Sequence, residues 1–309
     1  MTIRDCAAAV VVLALSGAQP AFAQDSTPLV PNSPWNVEYS QDSCVLARAF
    51  GAQEAPVYLR LEQFEPGTHF EVSLVGSPLR SRAPAGDLEV TLGGQAGNEP
   101  ILVSALFGKA KDDTPALNFL LDLRATSDGS QTDLGELTPA EFSMLSELRI
   151  ALKDDGRHVV LKPNGLNEAL GAMKTCMNEL LTHWGIDPAK QRSLTQRAEP
   201  IDAGKWIKPE DYPREGLQAG RSANVHFRLT VDPTGRVSDC TIQGATEGRS
   251  FARRTCDVIR RRARFQPALD AERKPVTSYY VNTIRWMMRA DDQRIRLSEQ
   301  VFEDIRVGQ

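Results

Sequence analysis

From Trp35 onward the apolar positions recur every second residue. Val57–Leu61, Phe70–Leu74, Leu88–Leu92 and Ile101–Phe107 alternate apolar with polar side chains, the period of a half-buried strand. Turn-forming stretches separate them at Glu65-Pro66-Gly67, Ala85-Gly86-Asp87 and Gly93–Asn98. Phe119–Leu123 predicts a further strand, and Thr126–Thr132 reads as a polar loop. Thr138-Pro139-Ala140-Glu141 has capping-box spacing, with Pro at the first helical position. Leu148–Leu152 and His158–Leu161 predict a hairpin around Asp154-Asp155-Gly156. Then the period changes. Leu166, Leu170, Met173, Met177, Leu181 and Trp184 fall three or four apart, which predicts an amphipathic helix capped by Asn164 and ended by Gly185. Its Met and Trp stripe reads as core rather than as a ligand groove. Residues 35–187 therefore predict a β-rich, sandwich-like domain closed by a helix, preceded by a Pro-punctuated extended leader over 24–34.

Residues 188–205 are polar and read as a linker. A second domain is expected over 206–289, followed by a tail over 290–309. Val225–Val231 alternates as a strand, Asp232-Pro233-Thr234-Gly235 is a tight turn, and Arg236–Ile242 returns as the partner strand. Ser250 is placed to cap a helix whose inward face carries Ala252, Cys256, Ile259 and Ala263, with Pro267 ending it. Arg253, Arg254, Arg260, Arg261 and Arg264 lie mostly off that face. Val276–Trp286 predicts a last strand with Tyr280, Ile284 and Trp286 on one side. The order is ββαβ, and the whole chain is expected to be α+β.

Composition changes this picture in three places. The 309 residues are 41% hydrophobic and 25% charged, ordinary for a globular chain with room for two domains. The net charge of −4 hides an asymmetry: residues 201–289 hold 17 Lys+Arg against 10 Asp+Glu, so this basic segment is joined to an acidic remainder. A solvated basic face and an acidic partner both remain open as explanations. Second, Arg4 precedes an apolar run over Ala7–Gly17, and Ala21-Phe22-Ala23 is a small-x-small site. That pattern predicts a cleavable signal peptide over 1–23, hence export to the periplasm and no transmembrane helix in the mature chain. Export argues against a nucleic-acid partner. Third, cleavage leaves Cys44, Cys176, Cys240 and Cys256, an even set that suggests two disulfides among three pairings. A Cys44–Cys176 bridge would tie the first strand of the β-rich domain to its last helix.

The C-terminal residues resemble the TonB C-terminal domain family. The likeness runs from Tyr212-Pro213 through Val231-Asp232-Pro233-Thr234-Gly235-Arg236-Val237 to Arg261–Ala268 and the closing strand. An additional cysteine pair, Cys240 with Cys256, is similar to that of a subset of exported TonB-like proteins, and it keeps each bridge within one domain. The resemblance implies that the domain captures an extended segment by strand addition on its last strand. An example is the TonB box of an outer-membrane receptor, linked to TonB-dependent transmembrane transport. The matching edge positions are Tyr279, Tyr280, Val281, Asn282, Thr283, Ile284 and Arg285, with Tyr212 and Pro213 beside the bound segment. The same edge is available for pairing two copies of the chain. Energy-transducing relatives keep an uncleaved N-terminal helix and a long Pro-rich spacer; this sequence shows neither, so a soluble adaptor fits better than a force transmitter. The alternative is that the N-terminal domain binds or hydrolyses an envelope ligand, with the TonB-like domain as a docking or self-association module.

No enzyme is expected. His69, His158, His183 and His226 are scattered, and no H-E-x-x-H, G-x-S-x-G, phosphate-binding or dinucleotide pattern occurs. Glu62, Glu65 and Glu71 read as solvated surface rather than as a catalytic carboxylate pair. No metal or cofactor is expected.

Overall fold

A computed structural model describes residues 27–81, 85–93, 99–124, 146–152, 156–246 and 248–286. The segment over 1–23 expected as a signal peptide, the Thr126–Thr132 loop, the Thr138–Glu141 capping box and the tail over 290–309 lie outside the described residues.

The strands of the N-terminal half are β1 (Asn36–Tyr39), β2 (Cys44–Phe50), β3 (Val57–Gln63), β4 (His69–Val75), β5 (Ala85–Leu92), β6 (Ile101–Lys109), β7 (Pro115–Asp122), β8 (Leu148–Leu152) and β9 (His158–Leu161). Among the described residues they form one sheet in the order β1-β2-β3-β4-β7-β6-β5-β8-β9. All its pairs are antiparallel. The period-two pattern decides its faces. Leu46, Phe50, Leu59, Phe70, Val72, Leu88, Leu117 and Phe119 fill the concave side. The Pro-rich leader is part of this sheet rather than a free arm. Leu29 N–H donates to Val160 O at 2.7 Å, and Asn32 N–H donates to Ala49 O at 3.0 Å. The leader thus joins β9 to the end of β2 and draws the sheet into a half-barrel.

Helix α1 (Leu166–His183) lies in the concavity and contributes Leu166, Leu170, Met173 and Met177 to the same core. Its stripe is core, but its cap differs from expectation. The N-cap is Gly165 in the left-handed region, with no side-chain cap bond. The Asn164 carbonyl instead accepts from Trp35 Nε1 at 3.0 Å and from Arg48 Nη1. Cys44 and Cys176 are bridged, with Cα atoms 6.1 Å apart, tying β2 to α1.

The stretch read as a linker carries α2 (Pro188–Arg192), capped by the Asp187 side chain, and β10 (Glu199–Ile201). Leu194, Ala198 and Trp206 pack into the C-terminal core. It reads as linker because its apolar residues are few; they are ordered by partners far along the chain.

The C-terminal region follows with α3 (Arg214–Ala219), β11 (Ala223–Val231), β12 (Val237–Ala245), α4 (Arg249–Arg262), β13 (Arg264–Gln266), β14 (Ala268–Leu269), β15 (Pro275–Val276) and β16 (Ser278–Trp286). Its main sheet has the order β12-β11-β16. β13 pairs with β10 at the side. The β11–β12 turn depends on Gly235. It sits at φ 76°, and a Cβ there would lie 2.0 Å from Phe265 O. Asp232 completes the turn by accepting from Thr234 N–H at 2.8 Å and Arg236 N–H at 3.0 Å. Helix α4 starts one residue before Ser250, from Gly248 as N-cap, and buries Phe251, Thr255, Val258 and Ile259. The inward face is therefore rotated from the expected Ala252–Cys256 line, because Phe251 and Val258 carry more apolar surface. The helix ends at Arg262, ahead of Pro267, since Phe265 enters β13. Cys240 and Cys256 are bridged, with Cα atoms 5.8 Å apart.

Candidate binding edge and its polar seat

β16 has the sequence Ser-Tyr-Tyr-Val-Asn-Thr-Ile-Arg-Trp and is terminal in its sheet, so one long edge has no strand paired to it among the described residues. Its register on β11 assigns the two faces. Val225 opposes Ile284, Phe227 opposes Asn282 and Leu229 opposes Tyr280, so these side chains share the α4 face. Tyr279, Val281, Thr283 and Arg285 take the opposite face with Asn224, His226 and Arg228. Thr283 N–H bonds the Asn282 side chain at 2.7 Å, which marks it as an outward N–H. With period two, Val281 N–H points the same way.

The expected site residues divide accordingly. Tyr280 packs on Phe265, with ring centroids 5.0 Å apart, and its hydroxyl accepts from Asn282 Nδ2 at 2.5 Å. Burial raises the Tyr280 phenol above its ordinary value, against the Asn282 hydrogen bond, and the Glu65 charge adds to the rise. Tyr279 is buried and meets Trp184 edge-on at 5.8 Å. Asn282 and Arg285 are exposed. Tyr212 seats on Trp286 at 5.7 Å and donates to Arg221 O at 2.6 Å, and Pro213 is buried beside it. Tyr212 and Pro213 thus stand at the C-terminal end of β16 and hold that end.

The second face is the feature that sequence reasoning missed. It is not solvated. It lies on the outer face of β3, β4 and β7, and the contacts are polar. His226 is 4% exposed, with Nε2 3.0 Å from Glu71 Oε2 and Nδ1 2.8 Å from Thr283 Oγ1. Phe64 stacks on its ring at 4.0 Å. Gln243 Nε2 donates to Asp42 O at 3.1 Å and Phe64 O at 2.9 Å. Arg228 lies 4.3 Å over the Trp184 ring. Gln191 and Ser278 are bonded at 3.1 Å at the start of β16.

Glu62 and Glu71 are each only 8% exposed, which corrects the expectation of solvated carboxylates. They point outward from their own sheet, as the alternation demands; Glu71 meets His226 of the C-terminal sheet, and Glu62 is held by Ser43 and Arg60. Burial pushes the Glu71 carboxyl up. The charge and hydrogen bond of His226, the Asn118 amide and the Arg60 charge outweigh it and hold Glu71 below its ordinary value. Glu65, in the β3–β4 turn, is pushed up to about 7 by burial against the opposing pull of Arg197. Burial lowers the Arg228 guanidinium, with Asp42 and Asp239 opposing. The signal available in the sequence was the run Asn224, His226, Arg228 within an otherwise apolar strand. It shows a polar face but not what covers it.

Among the described residues no three His, Cys, Asp or Glu side chains are grouped to hold a metal ion, and no helix is long and apolar enough to cross a membrane. The geometry is that of a small helix-backed sheet whose last strand, β16, is terminal in the sheet among the described residues. Residues 208–288 match the family model of the Gram-negative bacterial TonB protein C-terminal, so the C-terminal region is a TonB C-terminal domain. That family is a binding and transport domain of the Gram-negative envelope rather than a catalytic one, and it links this protein in general terms to TonB-dependent transport. No curated protein and no solved structure matches the chain.

Proposed function

We propose that the protein is a periplasmic TonB-like adaptor. Its β16 edge captures an extended segment, such as the TonB box of an outer-membrane receptor, by strand addition. The observation that carries this reading is the terminal place of β16 in its sheet, with the Thr283 and Val281 N–H groups directed outward. An unpaired edge is unfavourable to leave open, and an extended peptide satisfies it with main-chain bonds of its own. The polar seat supports an adaptor that does not transmit force, because it binds the other face of the same sheet to the N-terminal half.

The test is a titration of the full oxidised chain with synthetic peptides from receptor N-terminal segments. Amide shifts concentrated on Tyr279–Arg285 are expected. Val281→Pro removes an outward donor without removing a β11 bond, and should weaken binding at least tenfold. A folded V281P chain that binds normally would sink the reading. If the peptides shift nothing and the shifts follow protein concentration instead, the edge serves pairing between copies.

A further inference from the structure

A cavity of about 270 Å³ lies between the outer face of β5, β6 and β7 and the Asn224–Arg285 end of the C-terminal sheet. Both halves of the chain build it. The N-terminal half contributes Asp87, Ser104, Leu106 and Asn118, and the C-terminal sheet contributes Asn224 and Arg285. We propose that this cavity is a specificity pocket for one side chain of the segment captured on β16, and that the side chain it takes is an uncharged amide, Gln or Asn. The inference rests on the strand-addition reading and adds the N-terminal half as a reader of the captured sequence.

The placement follows from register. Side chains directly opposite on neighbouring strands share a face. A strand added outside β16 therefore sends every second side chain to the face of Val281, Thr283 and Arg285. That face looks onto the N-terminal sheet, as the Thr283–His226–Glu71 chain of contacts demonstrates. The residue opposite Arg285 comes to the mouth of the cavity.

The choice of amide follows from the lining. Asp87 and Arg285 carry opposite charges, so a carboxylate meets Asp87 and an ammonium meets Arg285. A primary amide offers a carbonyl to Arg285 and two N–H donors to acceptors. Asn118, which lines the cavity, carries such an acceptor. Asn118 is 6% exposed and its Nδ2 donates to Ser73 Oγ at 2.9 Å, while its Oδ1 is buried with no hydrogen-bond partner among the described residues. A buried unpaired acceptor is unfavourable, and a bound donor removes that cost. Leu106 supplies an apolar wall for the side-chain stem.

The experiment uses the full oxidised chain and receptor N-terminal peptides in which each position is replaced in turn by Gln, Ala, Glu and Lys, with binding followed by fluorescence anisotropy. At one position, Gln should bind about tenfold tighter than Ala, and tighter than Glu or Lys. Asn118→Leu and Ser104→Trp should each collapse that Gln-to-Ala ratio toward one. Ser104 is exposed at the rim, so S104W keeps the test available if the buried N118L variant fails to fold. A ratio that survives both changes, or a preference for Glu or Lys at that position, overturns the pocket. Val281→Pro separates the two failures. If V281P abolishes binding while no position prefers Gln, strand addition stands and the pocket falls. If V281P binds normally, strand addition fails and the pocket falls with it.

Discussion

Asp211 shows how one residue organises the C-terminal region. It is 1% exposed, and it receives Arg254 Nη2 at 2.8 Å, both Nη groups of Arg262, and the Lys208 N–H at 2.9 Å. Burial pushes its carboxyl up, but the Arg262 hydrogen bonds, the Lys208 N–H and the two guanidinium charges reverse this and hold it below its ordinary value. These contacts fasten the segment before α3 onto α4. Asp211→Ala should cost roughly 2–3 kcal/mol in urea unfolding, toward the low side for a broken buried pair, because both arginines are partly exposed and regain water. A loss under half a kcal/mol would show that the cluster is decorative. The residue-level signals that were legible were local ones. Asp232 and Gly235 announce their turn because its geometry is set within five residues. Asp211 did not announce its role, since its arginine partners stand more than 40 residues away.

At the scale of elements, the β3–β4 turn and the C-terminal sheet form a titratable contact. The Glu65 carboxyl is raised from 4.5 to about 7, so the folded state favours its protonated form. Its contribution is fully present below pH 4.5 and is lost as the pH rises through about 7. Glu71 behaves oppositely. Its value is lowered, so its contribution is present above 4.5 and lost only as the pH falls through the lowered value. Melting followed by circular dichroism should show stability falling between pH 4.5 and 7 by roughly 1–2 kcal/mol, a figure reduced for the partial exposure of Glu65. Glu65→Gln should flatten that slope; an unchanged slope in the variant would place its origin elsewhere. The strands and the long helix were legible because their periods persist over many residues. The short α2 and β10 were not, because three to five polar residues carry no periodic signal and only their docking orders them.

For the whole molecule, the two disulfides fix different spans. Cys44–Cys176 joins residues 132 apart in sequence, and Cys240–Cys256 joins residues 16 apart. In the chain-entropy account the long bridge contributes about 4–5 kcal/mol and the short one about 3. Replacing Cys44 and Cys176 together by Ser should therefore lower the urea midpoint more than replacing Cys240 and Cys256. The reverse order would show that native strain, not loop length, sets their worth. The charge asymmetry also finds a use at this scale. Some of the basic charge of the C-terminal region and the acidic charge of the remainder face one another across the seat, at Arg228 with Asp42.

The sequence alone determined the elements whose signal is periodic or local: the alternating strands, the Leu166–His183 helix, the Asp232–Gly235 turn and the resemblance of the last domain. Those follow from nearest-neighbour sterics and from which side of an element is apolar. Tertiary structure decided what covers each polar face. His226, Glu62 and Glu71 obey the alternation of their own strands, and alternation says only that they leave their own core. That His226 and Glu71 meet each other rather than water depends on the docking of two sheets distant in sequence, whereas Glu62 is held by Ser43 and Arg60 of its own half. The same docking places the Asn118 acceptor and Arg285 around one cavity beside the open edge.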